Sequence, residues 1–148
     1  MGVPPAGASE VYREWVMAYE PSEASVPRMR LHVRRRLALW QWPGDIQDAA
    51  LVASELSTNA LRHGYVPGCL LETRLALLAG GGLFIDVSDA VEAFPRFGEA
   101  IQAGPDDESG RGLLMVCRLG GEIGWFPTRD GKTVRVLLRP ASDGDRGR

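Results

Sequence analysis

Residues 55–64 read ELSTNALRHG, and the helix that carries them organises the rest of the chain. At about 100° per residue, Ile46, Ala49, Ala50, Ala53, Leu56 and Ala60 fall on one stripe. Most of these side chains are small, which permits close packing of helix on sheet. Asp45 can cap the helix after the Pro43-Gly44 break, and the pattern runs to about His63. Glu55, Asn59 and Arg62 lie nearly opposite the stripe, flanked by Leu51 and Val52. Polar groups set among apolar neighbours suit the wall of a cleft. There the Glu55 carboxylate can act as a base. The Asn59 amide oxygen, one turn on, can bind Mg²⁺, which takes oxygen ligands and commonly sits with substrate phosphates. A surface Glu and Asn on a solvated face is the plainer alternative, and this helix alone does not separate the two.

Working outward, residues 12 to 19, YREWVMAY, read as an edge strand. Ser25 with Pro27 marks the start of a helix of about four turns, carried by Met29, Val33, Leu37 and Trp40. The arginines at 28, 30, 34, 35 and 36 lie mostly off that stripe. They read as a solvated face or, more sharply, as a docking surface for an acidic partner. On the other side of the central helix, CLLETRLALL is a strand, AGGG a turn, and LFIDVSD a second strand whose apolar run suggests burial. Residues 90 to 109 form a long mixed loop, a length that in a compact domain usually serves function. GRGLLMVCRLG is a short helix, and GEIGWFPTRDGKTVRVLL a hairpin turning at Asp130-Gly131. The order strand, helix, helix, two strands, loop, helix, hairpin implies an α+β two-layer sandwich, with a mostly antiparallel sheet and helices on one face.

Three other stretches carry chemistry. In SGRGLL, residues 109 to 114, Gly110 and Gly112 bracket Arg111 at a helix start. The free N–H groups of a first turn suit phosphate, and Arg111 can add a charge-assisted contact. The third glycine of a dinucleotide fingerprint is absent. Asp89 closes its strand, where a carboxylate can accept a hydrogen bond from an exocyclic amine such as that of adenine. Asp86 alternates differently and reads as solvent-facing or structural. DGKTV, residues 130 to 134, fails the phosphate-binding P-loop pattern because Phe126 stands where glycine is required. Thr133 reads as an ordinary strand threonine or as a hydroxyl turned into a cleft.

Composition narrows the function classes. The chain has 148 residues, 45% hydrophobic and 24% charged, which suits one soluble globular domain. A net charge of −2 gives no support to nucleic acid or an anionic membrane as the main partner. No apolar run reaches the length of a membrane span. Cys69 and Cys117 do not form a close metal-binding pair, and His32 and His63 lack metal-ligand spacing. With no secretory signal, the thiols read as reduced and the location as cytoplasmic. Residues 1–11 and 141–148 are expected to be flexible tails around a domain at 12–140.

Together these pieces resemble the Bergerat-fold (GHKL) ATP-binding superfamily, and most of all its small actinobacterial anti-sigma-factor serine kinases of the RsbW type. SELSTNALRHG is similar to the N box of that family. IDVSDA stands in the place of the first glycine box, ESGRGLLMV resembles the second, and GKTVRVLL resembles the closing strand. The resemblance covers about residues 19 to 139. It implies ATP and Mg²⁺ as cofactors and assigns roles position by position. Glu55 would be the general base, Asn59 the Mg²⁺ ligand and Asp89 the reader of the adenine amine. Gly110, Arg111 and Gly112 would cradle phosphates, residues 90–109 would form a lid, and Thr133 would support the adenine site. It also implies a serine/threonine kinase that phosphorylates an anti-anti-sigma (STAS-type) protein and sequesters a sigma factor, with homodimers common. The alternative is an adaptor of the same fold that binds a sigma factor or signalling partner and uses nucleotide as a switch or not at all. One departure stands out: the family reads D-x-G-x-G where Asp89 is followed here by AVEA. A full histidine kinase would need a dimerisation helix with a phospho-accepting histidine, and His32 has no acidic neighbour of that kind.

Overall fold

The alternating aliphatic residues of LFIDVSD form a strand, and that strand takes the centre of the sheet. A computed structural model describes residues 10–91 and 108–141. In chain order the elements are β1 (Val11–Tyr19), α1 (Ser25–Leu39), α2 (Ile46–His63), β2 (Leu71–Leu78), β3 (Leu83–Asp89), α3 (Glu108–Arg118), β4 (Glu122–Pro127) and β5 (Lys132–Leu138). The sheet runs β1-β2-β3-β5-β4, and every neighbouring pair is antiparallel. The expected α+β architecture and element order are both present. The expected tails and the body of the expected lid fall on residues 1–9, 92–107 and 142–148, which lie outside the described residues.

Register fixes which side chains share a face, because successive residues of a strand point to opposite sides. Trp15, Leu75, Ile85, Val136 and Ile123 form one row across all five strands. The inner face also holds Leu71, Leu77, Leu83, Val87, Val134 and Leu138, all buried. Against it pack Met29, Val33 and Leu37 of α1, Leu113 and Val116 of α3, and the broad apolar side of α2. β1 pairs with β2 only and leaves Tyr12 and Val16 exposed, as an edge strand does.

The outer face is built differently. Asp86 is buried there between two arginines. Arg135 holds it through two 2.9 Å contacts, Nε to Oδ1 and Nη2 to Oδ2, and Arg74 Nη1 adds a third at 3.2 Å. The Arg135 guanidinium also covers the rings of Phe84 and Phe126, at 4.2 and 5.0 Å from their centroids. Asp86 is therefore structural. Arg74 reaches on to Glu14 at 3.2 Å, and that hydrogen bond holds the Glu14 carboxyl below its ordinary value.

α2 is the pivot. Asp45 caps it, accepting from the Asp48 backbone N–H at 2.9 Å. Its buried arc is wider than the expected stripe and includes Val52, Ser54 and Ser57, because α1, the sheet and α3 all close on it. The Ser57 hydroxyl donates to the Ala53 carbonyl at 2.7 Å, so it is satisfied inside the core. Two details differ from expectation at the other helices. Ser25 lies inside α1, and its hydroxyl donates to the Glu20 carbonyl at 2.7 Å instead of capping the helix. α3 begins at Glu108, two residues before the expected start at Gly110.

Candidate functional site

The site follows α2 from the middle to its C-terminus. Glu55 and Asn59 are half-buried, while Val52 and Leu56 between and beside them are sealed into the core. Both polar side chains thus stand at the rim of apolar packing, as the wall of a cleft requires. α3 packs beside them, held in place by Leu113 and Val116. A Cβ added at Gly112 would strike the Glu55 carboxylate, Oε2 first. With no Cβ at Gly112, the Glu55 carboxylate rests against the α3 backbone, and a side chain there would push it aside. Gly110 and Arg111 fall in the first turn of α3, where backbone N–H groups have no partner within a helix. Gly112 opens the second turn. Arg62 follows another course: it lines a groove shared with Val26, Pro27 and Arg30 of α1, away from the wall that Gly112 builds.

Two turns and more beyond Glu55, α2 ends at Gly64, and there it meets the end of β3. A Cβ at Gly64 would collide with Asp89 Oδ2. Asp89 is buried and already engaged. Its Oδ1 accepts the Val91 backbone N–H at 2.9 Å and the Lys132 ammonium at 3.0 Å. Lys132 Nζ lies 2.8 Å from Oδ2 as well, so close that the two groups form an ion pair. Both side chains are almost sealed, 3% exposed for Lys132 and 1% for Asp89. Lys132 Nζ also reaches the Val91 carbonyl at 3.4 Å. The turn after Asp89 has no glycines, and this side-chain clamp closes it.

Thr133 is not brought to this group. It pairs with Ser88 across β3 and β5, on the outer face, and the two hydroxyls share a 2.7 Å hydrogen bond. The residue opposite Asp89 in register is Lys132. Sequence reasoning missed Lys132, although a signal was present. Lys132, Val134, Val136 and Leu138 alternate on one face, and the three aliphatic residues mark that face as the inner one.

Other chemistry is sparse. Among the described residues no group of three or more His, Cys, Asp or Glu converges as a metal site. A single amide oxygen at Asn59 fits Mg²⁺ all the same, since that ion keeps several waters and shares substrate phosphates. Burial pushes the Cys117 thiol up, away from the thiolate that a nucleophile needs. Among the described residues no helix is long and apolar enough to cross a membrane.

Residues 19–138 match the profile of the histidine kinase-like ATPase domain. No curated protein gives a significant sequence match. Among solved structures, the chain is similar to the RsbU and RsbW domains of Rv1364c from Mycobacterium tuberculosis. That match has a TM-score of 0.55 and 20% identity, over 86% of this chain and 32% of that one. It is also similar to the histidine kinase domain of the blue-light activated histidine kinase of Erythrobacter litoralis EL346. There the TM-score is 0.50 and the identity 22%, over 63% of this chain and 43% of that one. The chain thus spans less than half the length of either neighbour, and at these identities the likeness is one of fold.

Proposed function

The chain belongs to the histidine kinase-like ATPase domain family, and from that premise we propose that it binds Mg·ATP along α2 and transfers the γ-phosphoryl group to a serine of an anti-anti-sigma partner while holding a sigma factor when the partner is absent. The observation that carries this reading is the fit of the Gly112 backbone against the Glu55 carboxylate, one helical turn from Asn59. From Glu55 to Gly64 the helix rises about 14 Å at 1.5 Å per residue, a length that an extended nucleoside triphosphate can follow.

Roles divide along that length. Asn59 offers an amide oxygen to the metal. The first-turn N–H groups of α3 at Gly110 and Arg111 face the positive end of the helix dipole toward phosphate. Glu55 accepts the proton of an attacking serine hydroxyl. Asp89, at the far end, reads the exocyclic amine of the base. ATP supplies the phosphoryl group, and Mg²⁺ neutralises charge on it. The protein contributes position and electrostatics, which dominate this class of transfer. Reduced thiols and a cytoplasmic location accord with such a role.

The test is transfer of label from γ-labelled ATP to an anti-anti-sigma protein carrying a single acceptor serine. We expect labelled serine, slowed at least tenfold by Glu55→Ala with nucleotide affinity held within about threefold. Undiminished transfer in that variant removes Glu55 from the mechanism, and absence of transfer with bound ATP favours a second reading. In that second reading the domain is an adaptor that holds a sigma factor or signalling protein without catalysis. The engagement of Asp89 by Lys132 is the observation that favours it.

A further inference from the structure

Asp89 occupies the position from which an acidic side chain reads a nucleobase amine, yet its carboxylate faces an ammonium. We propose that Lys132 is a specificity-determining residue that competes with the nucleobase for Asp89. A nucleotide then binds only as the pair parts, and the site discriminates poorly between 6-amino and 6-oxo purines. This inference rests on the nucleotide reading above and goes beyond it in naming what sets base choice.

Three observations support it. The pair is sealed, with Nζ 2.8 Å from Oδ2 and 3.0 Å from Oδ1, so a base amine and Lys132 compete for the same oxygens. The surroundings leave little slack. Gly64 packs on Oδ2 without room for a Cβ, and the Val91 N–H already takes Oδ1. Finally, Lys132 stands opposite Asp89 in the β3–β5 register, so the sheet itself holds the ammonium against the carboxylate. A base amine must displace a charge-assisted contact, which is stronger than the neutral one that it offers.

The consequences follow from donor and acceptor chemistry. A carboxylate alone accepts, so it favours the 6-amino group of adenine and rejects the 6-oxo group of hypoxanthine. A lysine beside it supplies three N–H donors, which suit a 6-oxo group. With both present, either base finds a partner, and each must first disturb a buried ion pair. Removing the lysine leaves the acceptor alone. Affinity for 6-amino purines then rises and preference between the two bases appears.

The experiment is isothermal titration of the full chain with Mg·ATP and with Mg·ITP, for the native protein, Lys132→Thr and Lys132→Gln, each checked by circular dichroism. The native protein should bind both nucleotides with affinities within about threefold. Lys132→Thr should bind ATP at least tenfold more tightly than native, with little gain for ITP, so that the ratio of the two affinities moves by tenfold or more. Lys132→Gln keeps a hydrogen bond to Asp89 without the charge, which protects the fold, and should fall between. Native protein that binds ATP, together with an unchanged ratio in both variants, overturns the role of Lys132 and leaves the ATP reading standing. Absence of binding for either nucleotide in all three proteins overturns the ATP reading, and this inference with it.

Discussion

Gly112 shows how much one missing carbon can position. The α3 backbone leans on the Glu55 carboxylate because nothing projects from that Cα. Gly112→Ala should push the carboxylate out of its present place. We expect phosphoryl transfer to slow at least tenfold with Mg·ATP affinity held within about threefold, and the melting temperature displaced by only a few degrees. Undiminished transfer would mean that the close approach is incidental packing. On the outer face, Asp86 is the single carboxylate shared by Arg74 and Arg135. Asp86→Ala leaves the Arg135 guanidinium without its carboxylate and Arg74 with Glu14 alone, and about 3 kcal/mol of stability should be lost in urea unfolding. Residue type and helical or strand position mark Glu55, Asn59 and Asp89 in the sequence as candidates. Lys132 is not marked in this way, because it lies 43 positions from Asp89 and only the β3–β5 register unites them. Thr133 enters the expected site through the family's closing strand, whereas the register turns it to the outer face beside Ser88. In a strand an error of one residue exchanges the two faces.

At the scale of elements, periodicity was the reliable guide. LFIDVSD became β3 with the expected bounds, because alternation within an apolar run has few other solutions. α2 ran from Ile46 to His63 because Asp45 offers its side chain to the first turn. Asp45→Ala should lower stability by about 1 kcal/mol, read as a shift in the urea midpoint with the slope unchanged. No shift would mean that tertiary packing alone fixes where α2 starts. What the sequence could not convey was how much of α2 is covered. The small stripe of Ala49, Ala53 and Ala60 implies one packing partner, whereas burial of Val52 and Ser57 reflects α3 and α1 closing from either side. Helix-on-helix contacts of that sort depend on tertiary arrangement, which the local pattern does not encode.

Across the whole molecule, contacts that stabilise the fold also lie away from the proposed site. Tyr19 joins β1 to α1: its hydroxyl lies 2.6 Å from His32 Nδ1, and their rings stack at 5.7 Å. Burial pushes the Tyr19 phenol up to about 12, with the Arg28 charge opposing it. An unfolded tyrosine ionises near 10. Below about pH 10 the phenol is neutral in both states and adds no pH dependence. Between about 10 and about 12 the unfolded chain loses its proton first, so stability falls as pH rises through that window. Urea midpoints across it should decline for the native protein and decline less for Tyr19→Phe; parallel slopes would place the cause elsewhere. None of this touches the proposed nucleotide site, which runs along α2 from the first turn of α3 to the end of β3. The central claim is that a nucleotide binds there. The most direct measurement is amide chemical-shift mapping of the labelled chain during titration with Mg·ATP. Shifts concentrated at Glu55, Asn59, Gly64, Asp89 and Gly110–Gly112, and lost in Asn59→Ala, are the predicted result. A silent spectrum, or shifts confined to α1 and β1, would contradict it.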